Sequence, residues 1–263
     1  ITIANPGGKV SIGSRAFAYG STKANLTNVK FDAANVILYD DCFYNTPITE
    51  LVNPSGELTF AVSDGQSYDG LFGSVNNETL KKISAKDGVN INVALGHSGW
   101  GQLKNLETVE NIKTLCENAL SYCPNLKNVT FMQGANITEI PASSFNGCTS
   151  LENIELPDTI TKIYHYAFAN SGLVELTVPD TVTEMERTAF YACTSLKKIS
   201  MPVINFGDNY FELCTSLNEI HFASGHGYFY DLSRLGIKNF VNIYIDDGVE
   251  YLGFTNLESM NFD

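Results

Sequence analysis

Basic residues are scarce in this chain. It has 16 lysines and arginines against 29 acids, a formal net charge of −13 over 263 residues. A surface of that sign gains nothing from phosphate backbones or anionic lipid, which argues against nucleic acid and membrane surfaces as partners. Charge of either sign is thin as well, at 17% of residues, against about a quarter in an average soluble domain. No apolar run approaches the roughly 18 residues of a membrane span, so no direct membrane insertion is expected. The chain opens on Ile1 without a basic or apolar leader, which predicts a processed or trimmed piece. No cysteines form a C-x-x-C pair, and the histidines lie at 97, 165, 221 and 226. Those spacings support no zinc site, and no cofactor is implied.

Apolar residues fill the place of charge, at 44% of the chain, enough for a sizeable core. They recur in a frame. Leu151 to Pro202 contains LENIELPDTITKIYHYAFANSG, then LVELTVPDTVTEMERTAFYACTS, then LKKISMP. The shared pattern is L-x-x-I-x-L-P, then D-T-V-T-x-I, then A-F-x-x-C-x-S. Self-similarity at a period of about 20–50 residues signals a solenoid of stacked units. The first apolar anchor falls at Leu26, Ile48, Leu80, Leu103, Leu126, Leu151, Leu173, Leu196, Leu217, Phe240 and Leu257, mostly in steps of 21 to 25 residues. The unit that starts at Ile48 runs for 32 residues, which predicts an insertion near 54–70. The last step, 17 residues, predicts a shortened terminal unit. Ile1 and Ile3 fit the second and third anchors of a strand whose start is missing, so the chain is expected to begin inside a repeat. The expected organisation is a single solenoid over 1–263, with degenerate repeats over 1–102 and 223–263 and regular ones over 103–222.

Each part of the frame has a physical role. The last two anchors of L-x-x-I-x-L are two apart, as an inward-facing pair on a strand must be. The following Pro cannot donate to a ladder, so it ends the pairing. D-T-V-T-x-I is rich in β-branched residues and predicts a short second strand. A-F-x-x-C is too short for an independent helix and predicts one helical or 3₁₀ turn that plugs Phe into the core. One repeat cannot bury its own apolar face, so stacking supplies the core. The expected fold is β-rich, with parallel strands on one face and short strands and single turns on the other.

The frame resembles the BspA-like leucine-rich repeats, which share the strand, the Pro, the V-T-x-I segment and the A-F-x-x-C-x-S-L turn. The match is strongest over Asn136–Pro202, with Ser144–Phe145, Ala167–Phe168 and Ala189–Phe190 as the A-F element. Ala119–Leu120 and Tyr210–Phe211 are variants of it. The resemblance implies a bacterial cell-surface or secreted protein, of a kind also found in parasitic protists, that works in adhesion and protein binding. It implies no catalytic residues.

Six cysteines in an exported protein suggest a disulfide framework. The frame argues for another reading. Cys123, Cys148, Cys193 and Cys214 each follow a plug by three residues, a slot that stacks from unit to unit and suits a small buried residue. Cys42 takes the Ala slot beside Phe43. Buried free thiols are expected, with one bond between neighbouring slots such as Cys123 and Cys148 left open. Gly96-His97-Ser98-Gly99 follows an apolar run and resembles a hydrolase nucleophile elbow, which would make Ser98 a nucleophile. The elbow needs Gly two residues after Ser, and Trp100 stands there. In the frame, Gly96-His97 replaces Ala-Phe and Trp100 replaces Cys, which accounts for the segment without chemistry. The pairs Asp40-Asp41 and Asp246-Asp247 read as solvated turns, and neither fits a calcium loop. Sequons start at Asn25, Asn77, Asn128 and Asn136.

In L-x-x-I-x-L the third and fifth positions point away from the core and form two columns across stacked strands. One column reads Asn105, Asn128, Asn153, Glu175, Lys198, Glu219, Asn242. The other reads Glu107, Thr130, Glu155, Thr177, Ser200, His221, Tyr244. The three successive Asn suit a hydrogen-bonded ladder. Hot spots favour Trp, Tyr and Arg, and Tyr244 alone answers to that description, so a protein ligand fits this face better than a sugar. Loops near 54–70 and Gly225–Tyr230 are the competing site. Three functions follow: a binding module with an unidentified protein partner, a spacer in a larger surface protein, or a hydrolase at Ser98. The first fits the frame best.

Overall fold

A computed structural model describes residues 1–17, 26–44, 46–62, 79–95, 103–204, 210–229, 235, 242–247 and 249–254, with backbone alone for 225–229 and 249–254. The chain divides into two compact units: Ile1–Asn136 with Gly147–Leu151, and Ile137–Asn146 with Glu152–Asp263. Each is a stack of parallel strands of the leucine-rich-repeat kind, and every strand pairing in both is parallel.

The first unit holds one sheet of seven strands: β1 (Thr2–Ile12), β2 (Asn28–Tyr39), β3 (Glu50–Asn53), β4 (Glu57–Ala61), β5 (Lys82–Ile91), β6 (Thr108–Leu115) and β7 (Asn128–Phe131). Long β2 pairs with both β3 and β4. Residues 54–61 are therefore ordinary repeat, not insertion. Pro54 is the Pro of the frame, and Glu57–Ala61 is its second strand, with Leu58 and Phe60 fully buried. Gly56 is required between them, because a Cβ there would meet the Ala34 carbonyl oxygen at 2.1 Å. The extra length of this unit comes after Ala61, and 63–78 lies outside the described residues. Asn53 takes a third-anchor position usually held by Leu. It is fully buried, and its side-chain amide donates to the carbonyls of Ala33 at 2.9 Å and Glu57 at 2.7 Å.

The second unit holds two sheets. One contains β10 (Glu175–Thr177), β12 (Lys198–Val203), β13 (Glu219–Phe229), β14 (Asn242–Ile245) and β15 (Val249–Phe254). The other is built from the short second strands β8 (Glu139–Ile140), β9 (Lys162–Ile163) and β11 (Glu184–Met185). The frame's threonines tie this second sheet. Thr159 and Thr161 donate their hydroxyls to the carbonyls of Ile137 and Thr138, at 2.6 and 3.2 Å. Thr181 and Thr183 repeat the arrangement on Ile160 and Thr161, at 2.7 and 3.4 Å. The terminal anchors Phe240 and Leu257 lie outside the described residues.

The A-F-x-x-C segments are not helical turns. Each is a chain of β-turns in which alternate amides bond three residues back, as Ala167, Ala169 and Ser171 do to Tyr164, Tyr166 and Phe168. The amides in between reach the next repeat: Phe145 donates to the Ala167 carbonyl at 2.8 Å, and Phe168 to that of Ala189 at 2.9 Å. This requires left-handed residues two before the plug, as at Ser143, Tyr166 and Thr188 with φ of 55, 54 and 63°. A helix would spend every amide within its own repeat. Here half of them stitch repeats together. The plugs stack face to face, with ring centres 5.4 Å apart for Phe145–Phe168, 5.5 Å for Phe168–Phe190 and 5.8 Å for Phe190–Phe211.

Candidate functional site

The second unit carries the strand face in its most regular form. Glu175 lies opposite Lys198, Lys198 opposite Glu219, and Glu219 opposite Asn242. In the same register Thr177, Ser200, His221 and Tyr244 line up. All eight are exposed or half-exposed, while Leu176, Ile199 and Ile220 between them are buried. The His221 and Tyr244 rings stack with centres 4.4 Å apart, and His221 Nε2 lies 3.4 Å from Glu219. Tyr244 is therefore not alone, and the aromatic surface spans two strands. The sequence reading missed this because it scored His as a polar residue. Asn153 and Glu155 are exposed on either side of buried Ile154, but Leu151–Leu156 forms no strand.

In the first unit one repeat starts from a different residue. Thr108 pairs with Asn128, and Val109 with Val129, so Leu106 is the first anchor of that repeat and not Leu103. Asn105 and Glu107 fall three residues early, in the bend before β6. The true first column is Asn28, Glu50, Lys82, Thr108 and Asn128. No asparagine ladder forms there. Asn128 donates to the Thr108 hydroxyl at 3.3 Å, and Asn105 accepts from Asn125 at 3.3 Å. Thr130 is exposed and accepts from the Asn111 amide at 3.0 Å.

The other candidates separate as follows. Leu95 is buried and its amide donates to the Ala119 carbonyl at 2.8 Å, the bond that Phe17 makes to Cys42. Ala94–Leu95 is thus the plug pair, not Gly96–His97. Ser98 follows Leu95 by three residues, the interval from Leu120 to Cys123, and 96–102 lies outside the described residues. Asp40 and Asp41 are buried, 7% and 8% exposed, rather than solvated, and Asp41 lies 3.6 Å from Arg15 Nε. Asp246 and Asp247 are exposed. Of the sequon asparagines, Asn128 and Asn136 are exposed, and Asn25 and Asn77 lie outside the described residues. Of the competing loops, Gly225–Phe229 continues β13.

All six thiols are free, and five are buried. They are donors as well as apolar filler. Cys148, Cys193 and Cys214 each donate to the plug carbonyl of the preceding repeat, at Leu120, Phe168 and Phe190, over 3.2, 3.0 and 3.0 Å. Burial pushes the Cys148 thiol up to about 12 and half-buried Cys116 to about 11. Such groups stay protonated and unreactive.

On the second sheet Lys162 bridges Glu184 and Glu186 at 3.0 and 3.5 Å and sits 4.4 Å from the Tyr164 ring centre. Glu186 accepts from the His165 amide at 3.1 Å and lies 2.8 Å from His165 Nδ1. Among the described residues no three or more His, Cys, Asp or Glu gather as metal ligands.

In comparisons with known proteins, nothing among the curated sequences matches this chain. A leucine-rich repeat protein from Bacteroides ovatus is 16% identical over 95% of this chain and 68% of its own, with a TM-score of 0.46. The pneumococcal vaccine antigen PcpA is 15% identical over 94% of this chain and 92% of its own, with a TM-score of 0.35. A leucine-rich cell surface protein from Faecalibacterium prausnitzii is 13% identical over 86% and 90%, with a TM-score of 0.28. The sequence itself matches the BspA type leucine-rich repeat region in six copies, over residues 1–63, 74–197 and 138–261. With that match covering most of its length, the chain belongs to the BspA-type leucine-rich repeat family.

Proposed function

We propose that this protein is a non-enzymatic binding module of the cell surface or the secreted fraction, and that it holds another protein on its strand face. The observation that carries the reading is the pair of in-register outward columns on β10, β12, β13 and β14, capped by the His221–Tyr244 stack. A repeated, solvent-facing sheet gives many weak contacts to a partner, and its aromatic end supplies a hot-spot anchor. Adhesion to a host or envelope protein is the role this arrangement serves.

Capture from host and envelope extracts tests it with three proteins. They are the native chain, a Thr177→Lys with Tyr244→Ala variant, and a deletion of 64–76. A deletion of 55–66 would remove β4 and is unsuitable. A partner that the native chain and the deletion retain, and that the face variant loses, supports the reading. Loss in the deletion alone overturns the strand-face assignment.

A further inference from the structure

A groove of about 480 Å³ opens on β1, β2 and β3 of the first unit, lined in part by Lys30, Asp32, Glu50, Val52, Pro54 and Ser55. Several charges elsewhere in this unit are neutralised within it: Lys82 pairs with Glu110 at 2.8 Å, Lys81 with Glu107 at 3.6 Å, and Lys113 with Glu57. Exposed Lys30 and Glu50 differ. Among the described residues neither makes an ion pair or a side-chain hydrogen bond. Asp32 accepts from the Ser55 hydroxyl and has no cation partner among the described residues.

The register orders these charges. Glu50 is level with Asn28, Lys30 is level with Val52, and Asp32 follows Lys30 by two residues on the same face of β2. Successive levels along the strands therefore carry minus, plus and minus, about 6.8 Å apart. An extended chain places alternate side chains on one side at the same interval. We propose that this groove receives an extended segment of a partner protein that reads basic–x–acidic–x–basic. Its central acid meets Lys30, and its flanking bases meet Glu50 and Asp32. Val52 and Pro54 give the segment an apolar wall that limits water at the central pair. Docking breaks no ion pair already present, so the new pairs are not offset by lost ones. The inference rests on the strand face being the binding surface, and it names the sequence class that one part of that face takes.

The probe is the end-blocked peptide Lys-Ala-Asp-Ala-Lys, titrated calorimetrically into the full chain at low salt beside its inverse, Asp-Ala-Lys-Ala-Asp. The first should bind about tenfold or more tighter than the second and weaken as salt is raised. Lys30→Glu should weaken it about tenfold and shift the preference to Lys-Ala-Lys-Ala-Lys. Glu50→Lys should weaken it as well. Both side chains are exposed, and circular dichroism checks that the variants remain folded. Equal affinity for the peptide and its inverse, or indifference to both substitutions, overturns the proposal. Such a failure leaves the second-unit reading standing, because partner capture with Thr177→Lys and Tyr244→Ala tests that separately.

Discussion

The repeats of 28–115 and those of 137–185 solve one problem in two ways. In the first stretch a strand runs on through the corner: β2 has 12 residues and β5 has 10. In the second stretch the chain stops at Pro157 or Pro179, turns, and starts again as a two-residue strand. Proline marks the difference between these two stretches, although β1 and β12 run on through Pro6 and Pro202. Pro179 ends pairing after Val178, and the segments that follow Pro157 and Pro179 build a sheet of their own. Where Pro is absent the corner is a bulge, as in β5 between Ser84 and Val89, and in β6 where Asn111 adopts φ of 61°. At Gly88, φ is +117° and a Cβ would lie 2.8 Å from that of Lys113. The missing side chain lets Lys113 cross toward Glu57. Pro54 tests the rule from the other side. It is the Pro of a first-unit repeat, and it splits that repeat into β3 and β4.

The largest expected effect removes what both stretches share. Phe168→Ala and Phe190→Ala take a fully buried ring out of the plug stack, and each should destabilise by about 3–5 kcal/mol in urea unfolding. Phe43→Ala removes the matching ring of the first unit, stacked on Phe17 at 5.2 Å, and should fall in the same range. A loss below about 1 kcal/mol at Phe168 would mean that the amide stitching, not the ring, holds the turn side together.

The corner comparison is sharpened at Gly56. Gly56→Ala presses a methyl group onto the backbone of the neighbouring strand and should cost about 1–3 kcal/mol. Gly134 has open space around its missing Cβ and φ of +78°. Gly134→Ala should cost only the backbone preference, about 1 kcal/mol. Equal losses at the two sites would remove the steric account of the Pro corner.

Those elements show how far the sequence could be read. The frame, the plugs, the cysteine slot and the second-unit columns follow from recurrence, because each pairs an apolar anchor with a fixed spacing. Leu103 and Leu106 broke the method. They lie three apart and are both fully buried, so either satisfies L-x-x-I, and only the pairing of Val109 with Val129 decides. Ala94–Leu95 and Gly96–His97 posed the same ambiguity, which the Leu95 amide settles. The bonds that replace the expected helical turn run between repeats, and no spacing within one repeat reveals them. The groove charges went unread because the outward columns were traced only from Asn105 and Glu107 onward, although the anchors Leu26 and Ile48 of the groove repeats stand in register.

A smaller effect is expected in the cysteine slot, where the second unit already contains its own control. Ser171 occupies that slot after Phe168, and its hydroxyl lies 3.4 Å from Cys193 Sγ. Cys193→Ala removes the thiol donor from the buried Phe168 carbonyl, which keeps the Ser171 amide, and should cost about 0.5–1.5 kcal/mol. Cys193→Ser keeps a donor and should cost less. If Ser and Ala are equally costly, the slot selects for volume and not for hydrogen bonding. Thiol titration of the native chain should label Cys116 first, and all six groups after unfolding without reductant.

The smallest expected effect is a pH dependence confined to the second sheet. Partial burial of Glu186 works against its ionised form, but hydrogen bonds from the His165 ring and amide, with the charge of Lys162, outweigh it. The carboxyl is held below its ordinary range, so its folded-state pKa lies below the unfolded one. Its contribution is then fully present above the unfolded value and lost as pH falls through the folded value. Because the Glu186 side chain is 35% exposed, solvent screening keeps the contribution under about 1 kcal/mol. Glu186→Gln should therefore lower stability slightly at neutral pH and flatten its acid limb. Below the folded pKa of Glu186 the variant and native chains should converge. The first unit has no histidine–carboxylate tie among its described residues, so Glu110→Gln serves as the comparison for an exposed cross-repeat pair with Lys82. A Glu186→Gln curve parallel to the native one across the acid range would show that His165 is held by packing on Tyr166 and not by the carboxylate.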